Sequence, residues 1–379
     1  MTKTRSALVL AALLFGASAA AAEIVIGVAG PFSGSNAALG EQLRRGVETA
    51  VGDLNATGGI RGERIAVKFG DDGCDPRKAV EVATGFVSDG IKAVIGHYCS
   101  GASIPASKVY EKAGVVQISP ASTNPKFTDE GGWNVIRLVP RDDAQADAAA
   151  ALLQAKFPGR KVAILSDQQP GFSALARRFR EALAAKGVAP VADESFKSGT
   201  RDFAALAGKV QAAGAEVIYL SGSYVESGLI AQALRAAGSR AQLVSGDALV
   251  TDDFWNQAKQ AGEGTLMTFT FDARKFPIAR TVVERMRAEE KNPEGFTLYA
   301  YAAVQALAAA AEATSSADAT RIAEWLRGGN RFDTVVGPVS FDARGDLENP
   351  AVAWFKWMDG RYVEIDPATL LPPVPDTTP

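Results

Sequence analysis

One histidine and two cysteines are all that a chain of 379 residues offers of those types. A zinc or iron–sulfur centre built from His and Cys needs more ligands than that, so neither a metal nor a cofactor is expected. A basic surplus is also missing, since 40 Lys and Arg stand against 43 Asp and Glu, for a net charge of −3. Nucleic-acid binding depends on neutralising phosphates, and no nucleic-acid partner is expected. There is no G-x-x-x-x-G-K-[ST] loop to cradle a nucleotide and no G-x-S-x-G nucleophile elbow. A Ser-His-Asp triad would have to use His97, the sole histidine. A single histidine after a strand end reads as a structural hydrogen-bonder, so the chain is not expected to be an enzyme. Asp71, Asp72 and Asp75 lack the spacing of a calcium loop.

Long apolar runs are confined to the start. Residues 1–22 combine Lys3 and Arg5, a short apolar stretch from Ala7 to Phe15, and Ala20-Ala21-Ala22 before Glu23. This is the pattern of a cleavable secretory signal peptide. No cysteine lies at the cleavage point, which argues against a lipid-anchored form. After Glu23 no run of 18 apolar residues occurs, so no membrane span is expected. The expected mature protein is exported and soluble. In an oxidising compartment Cys74 and Cys99 are a candidate disulfide, the alternative being two free buried thiols. Closing that loop would stabilise the fold by roughly 3.5 kcal/mol in the chain-entropy model.

With 47% hydrophobic residues the chain can bury a core, and its length suits two of them. Glu23–Ala29 is a β-branched run that reads as a buried strand. Leu39, Leu43, Val47, Ala50, Val51 and Leu54 then recur at helical spacing. Strands are expected again at 64–69, 92–95 and 115–118, with helices at 76–89 and 103–113 between them. The alternation restarts near Asp142, with strands at 161–165, 188–194, 216–220 and 242–244. A strand at 265–271 could return to the first lobe. Asp252 and Asp253 read as caps of a helix beginning at Phe254. Strands alternating with helices mean parallel sheets. The fold class is α/β, with two doubly wound parallel-sheet lobes. The end of the chain, 367–379, reads as a flexible tail.

Open parallel sheets bind ligands beyond the carboxyl ends of their strands. There this sequence places Ser100 and Gly101 at a helix start, where free N–H groups favour a carboxylate. Nearby positions supply Ala121 and Thr123 in one loop, Tyr224 after another strand, and Asp247 after a third. A carboxylate desolvated between two lobes requires a cation. Together these residues describe a site for a zwitterion.

The chain resembles the periplasmic leucine/isoleucine/valine-binding family. The similarity lies in IGVAGPFSGSNAALG (26–40), DLNATGGIRGERI (53–65), DDGCDPRKAVEVA (71–83), VIGHYCSGASIPAS (94–107), ISPASTNPKFT (118–128), SGSYVESG (221–228), LYAYAAVQAL (298–307) and VVGPVSFDARGDL (335–347). The resemblance implies a type I periplasmic binding fold, two lobes joined by a three-strand hinge. Lobe 1 would comprise 23–141 and 273–347, and lobe 2 would comprise 142–272 and 348–366. It implies a Cys74–Cys99 disulfide and capture of a branched-chain or other small neutral amino acid by lobe closure. The partner would be the membrane permease of an ABC transporter, and the protein a monomer. Ser100 and Thr123 would hold the α-carboxylate and share the ammonium, Ala121 would contribute backbone, Asp247 would pair with the ammonium, and Tyr224 would close over the ligand. Alternative readings are a binder of a short amide, γ-aminobutyrate or an aromatic acid, or a sensor subunit.

Three positions depart from the family pattern. Leu39 stands where branched-chain binders carry Trp, Gly171 or Phe172 replaces a Tyr, and Tyr98 replaces a smaller apolar residue. A Tyr98 ring facing the cleft would shorten the side-chain pocket and favour small or unbranched ligands over leucine.

Overall fold

A computed structural model describes residues 23–372. The expected leader at 1–22 and the tail residues 373–379 lie outside the described residues. The first region runs β1 (Glu23–Gly30), α1 (Ala37–Ala56), β2 (Arg64–Asp71), α2 (Pro76–Ser88), β3 (Ala93–Gly96), α3 (Ser100–Ala113), β4 (Val116–Ser119), α4 (Lys126–Asp129) and β5 (Val135–Arg137). The second runs α5 (Asp142–Lys156), β6 (Val162–Asp167), α6 (Pro170–Ala185), β7 (Ala192–Phe196), α7 (Ala204–Ala212), β8 (Val217–Ser221), α8 (Tyr224–Ala236), β9 (Gln242–Ser245), α9 (Asp252–Ala258) and β10 (Leu266–Phe269). The remainder is α10 (Arg280–Ala288), α11 (Thr297–Ala313), α12 (Ala319–Leu326), β11 (Phe332–Thr334), β12 (Gly337–Val339), β13 (Ala353–Met358) and β14 (Arg361–Ile365).

The two principal sheets are separate. One is parallel throughout, in the order β2-β1-β3-β4-β5. The other has the order β14-β13-β10-β9-β8-β6-β7. Its β7, β6, β8, β9 and β10 are parallel, whereas β13 and β14 add antiparallel edges. The chain is therefore α/β with two wound lobes, but the second sheet is mixed. β10 does not return to the first lobe; it pairs with β9 and β13.

Local chemistry explains the elements. Residues 26–30 of β1 are all buried, as expected for a parallel strand covered on both faces. Pro76 opens α2 where its missing N–H costs nothing, and Asp75 caps it by accepting from the amides of Arg77 at 2.8 Å and Lys78 at 3.0 Å. The cap of α9 is Thr251, whose hydroxyl accepts from the Asp253 amide at 3.3 Å. Asp252 and Asp253 thus lie inside the first helical turn, where negative charge favours the helix dipole. Gly46 lets α1 press against α11, because a Cβ there would stand 2.1 Å from the Thr297 carbonyl oxygen. Residues 367–372 form a turn closed by an Asp366–Leu371 bridge, so this part of the expected tail is ordered.

Cys74 and Cys99 form a disulfide, with 5.5 Å between their Cα atoms. Beside it, His97 and Asp72 are fully buried. A carboxylate only accepts hydrogen bonds, so His97 Nδ1 donates to Asp72 Oδ2 at 2.6 Å, while Nε2 lies 3.0 Å from the Tyr110 hydroxyl. His97 is thus a structural tie between the β2–α2 and β3–α3 loops.

Candidate ligand site between the lobes

The carboxyl ends of the two sheets face one cavity of about 80 Å³. The lobes close around it through direct bonds. The Ala38 amide donates to the Tyr224 hydroxyl at 3.4 Å, and Gln42 Nε2 donates to the Val250 carbonyl at 3.0 Å. On the same side, Glu294 accepts from the Asp252 amide at 2.8 Å.

The first-lobe wall is rigidly built. Ser100 and Gly101 open α3, whose first amides have no intrahelical acceptor. The Ser100 hydroxyl accepts from the Asn124 amide at 3.1 Å, tying α3 to the β4–α4 loop. That loop is held from below. Ser122 Oγ donates to the Tyr98 carbonyl at 3.1 Å, and Arg137 Nη1 donates to the carbonyls of Ser122 at 3.1 Å and Asn124 at 2.8 Å. Arg137 is itself fully buried and paired with Asp346 at 2.7 Å. Ala121 and Thr123 are thereby fixed on the wall.

The cavity also carries acidic groups. Asp247 and Asp142 both line the cavity. Gln145 Nε2 lies between them, 3.3 Å from Asp247 and 3.5 Å from Asp142. Among the described residues no Lys or Arg stands within salt-bridge distance of either carboxylate. Burial, and next the charge of Asp142, raise the Asp247 pKa to about 7. Burial raises Asp142 to about 6, against the opposing pull of the Thr123 hydroxyl and Arg137. A cavity that holds two carboxylates with no salt-bridge partner together with the open amides at the start of α3 is complementary to a zwitterion.

Seven of the eight expected ligand residues line this cavity: Leu39, Tyr98, Ser100, Ala121, Thr123, Phe172 and Asp247. Tyr98 packs edge-on against Phe296, with centroids 5.2 Å apart, and faces the cavity. Tyr224 is not among the lining residues, because its hydroxyl is turned to the start of α1. Sequence reasoning missed Asn36, Asp142, Leu175 and Phe296, which also line the cavity. Asp142 follows a lobe crossing and Phe296 precedes a helix, so neither comes directly after a strand. Among the described residues, no group of three or more His, Cys, Asp or Glu is placed to hold a metal, and no helix is long and apolar enough to cross a membrane.

Two sheets closing on a cavity at their carboxyl ends define a bilobal solute-binding protein. The chain belongs to the periplasmic binding protein family, which matches residues 23–359. It is 39% identical over 360 residues to Leu/Ile/Val-binding protein homolog 1 of Brucella suis, covering 94% of this chain and 97% of that one. It is 41% identical over 350 residues to an amino acid binding protein of Pseudomonas aeruginosa, covering 91% and 93%. Among solved structures, the branched-chain amino acid transporter substrate-binding protein LivJ of Streptococcus pneumoniae, in complex with isoleucine, superposes with a TM-score of 0.82 at 28% identity, covering 90% and 100%. The family comprises substrate-binding proteins of the periplasm, not enzymes.

Proposed function

We propose that this protein captures a small neutral α-amino acid between its lobes and delivers it to the permease of an ABC transporter. One observation carries the reading: Asp142 and Asp247, without a protein cation, share a cavity with the amide-bearing start of α3. The ligand carboxylate is received by the Ser100 and Gly101 amides and the Thr123 hydroxyl. The ammonium is received by Asp247, with Asp142 behind it. An aromatic acid or other plain carboxylate would meet two like charges and be repelled. The names of the relatives agree with an amino acid ligand. Ligand binding favours the closed state only through contacts that both lobes make to it.

In this reading the leader at 1–22 is cleaved and the mature protein works as a periplasmic monomer. Lobe 1 is 23–141 with 273–347, and lobe 2 is 142–272 with 348–366. The three chain crossings flex as the hinge. The test is calorimetric titration of the mature protein after ligand stripping by unfolding and refolding. The panel is the twenty amino acids, γ-aminobutyrate, benzoate and a short amide, each also against Asp247→Ala. Neutral amino acids should bind, and the variant should lose them. Binding of benzoate or the amide alone would refute the reading.

A further inference from the structure

Both cavity carboxylates meet one side chain that is not on the cavity wall. Asp142 and Gln145 stand three residues apart at the start of α5, so they share a helix face. Asp247 follows β9, and β10, the parallel neighbour of β9, carries Thr268. α5 packs on β10. Gln145 and Thr268 are buried and are not among the residues lining the cavity. Gln145 Nε2 lies 3.3 Å from Asp247 Oδ2 and 3.5 Å from Asp142 Oδ1, while Gln145 Oε1 accepts from the Thr268 hydroxyl at 2.8 Å.

A charged carboxylate accepts hydrogen bonds and donates none. The amide nitrogen of Gln145 must therefore face the pair, and the amide oxygen must face away from it. The Thr268 hydroxyl meets that oxygen and locks the amide in this sense. The residue type matters as well. A lysine or arginine in this place would neutralise the carboxylates and compete with a ligand ammonium. An apolar residue would leave two neighbouring carboxylates without this donor, and one would take up a proton. A neutral amide orients both and leaves their charge for the ligand. Its hydrogen bond favours the charged form of Asp247, against burial and the charge of Asp142. The other titratable or charged groups near the pair are Tyr219 of β8, close to both, and Arg137, Asp143 and Arg178 around Asp142.

We propose that Gln145 is a positioning residue: anchored by Thr268, its amide holds Asp142 and Asp247 as an oriented, charged pair for the ligand's ammonium. The inference rests on the zwitterion reading above and deepens it, naming what prepares the acidic groups before a ligand arrives. Hydrogen bonds to charged groups are stronger than those between neutral ones. Loss of this donor should raise the proton affinity of the pair about tenfold, a shift of about one pH unit. The ammonium must then displace a more tightly held proton.

The test is titration calorimetry with alanine from pH 5 to pH 9 on the stripped, full mature chain. It compares the wild type with Gln145→Met, Thr268→Val and Thr268→Ser. Gln145→Met keeps an unbranched side chain and removes the amide. It should move the pH midpoint of binding upward by about one unit and weaken binding at pH 7 by about tenfold. Thr268→Val keeps the shape and removes the anchoring hydroxyl, so it should move the midpoint the same way by less. Thr268→Ser retains the hydroxyl and should keep the wild-type profile. A purely structural role would lower the unfolding temperature and leave the midpoint of the folded protein in place. A Gln145→Met midpoint within about 0.3 unit of wild type would overturn the proposal. So would a Thr268→Ser profile that follows Thr268→Val. Should Gln145→Met fail to fold, the two Thr268 variants decide the matter. If the wild type binds no alanine at any pH, the zwitterion reading fails as well. Binding in the wild type with unshifted variants leaves that reading standing and removes only this one.

Discussion

Lowering the pH should weaken ligand binding steeply between pH 8 and pH 5. In the empty cavity Asp247 titrates at about 7 and Asp142 at about 6, both raised first by burial. A bound ammonium stabilises their charged forms, so its binding lowers both pKa values and expels protons. Each pH unit below a group's empty-site pKa then costs about tenfold in affinity. At pH 5 Asp247 alone accounts for about 100-fold, and Asp142 adds up to about tenfold. The expected loss from pH 8 to pH 5 is therefore about 100- to 1000-fold. Titration calorimetry across that range, in buffers of different ionisation enthalpy, measures both affinity and protons released. Release should be about one to two protons near pH 6. Asp247→Asn should weaken binding at pH 8 and flatten the profile. An affinity constant to within about threefold from pH 8 to pH 5, or one that rises in acid, would refute the reasoning.

Four further outcomes follow from the structure. The ligand-free protein should show the opposite pH trend: Asp142, Asp247 and Glu294 all have raised pKa values, and their contribution to stability is full in acid and lost as the pH rises through about 6 to 7. Thermal melts without ligand should shift upward from pH 8 to pH 5.5, and a downward shift would contradict the assignment. Asp346→Ala would strand the fully buried Arg137 guanidinium, and chemical denaturation should register a loss of about 3–5 kcal/mol. Because Arg137 also holds the Ser122–Asn124 loop, the same variant should bind ligand more weakly at temperatures where it is folded. Reducing the Cys74–Cys99 bond, which closes a separation of 25 residues, should cost about 3–4 kcal/mol by denaturant titration.

Much of the lobe architecture is visible in sequence because buried parallel strands are written as β-branched runs between amphipathic helices. β1 and α1 are clear examples. β5, β11 and β12 have only three residues each, too few for a period to show. The expected strand at 188–194 forms instead as β7 at Ala192–Phe196, where Ala163 to Asp167 of β6 set the register. β14 lies close to a proline-rich end, and its role comes from pairing with β13. The antiparallel edge therefore depends on tertiary context.

The site was legible where its residues directly follow strands. Ser100, Ala121, Thr123 and Asp247 all do, and the sheet topology brings them to one cavity. Asn36, Asp142 and Phe296 reach it from a helix start, a chain crossing and a pre-helical turn, positions that no strand-end rule selects. Tyr224 lies on the expected element, but its direction is set by the amide of Ala38 in the opposite lobe. A contact across two lobes cannot be read from either segment alone. Tyr98 is among the residues that line the cavity, and its unpaired hydroxyl is a feature that only the packed structure reveals.

The central claim is that the cavity recognises both charges of a zwitterion at once. The most direct measurement compares alanine, propionate and ethylamine by titration calorimetry on the stripped protein at pH 8. Propionate lacks the ammonium that Asp247 and Asp142 receive, and ethylamine lacks the carboxylate that the start of α3 receives. Alanine should bind, and each analogue should bind at least about 100-fold more weakly, the loss expected when a buried charge is left unpaired. Propionate or ethylamine binding within about tenfold of alanine would contradict the account.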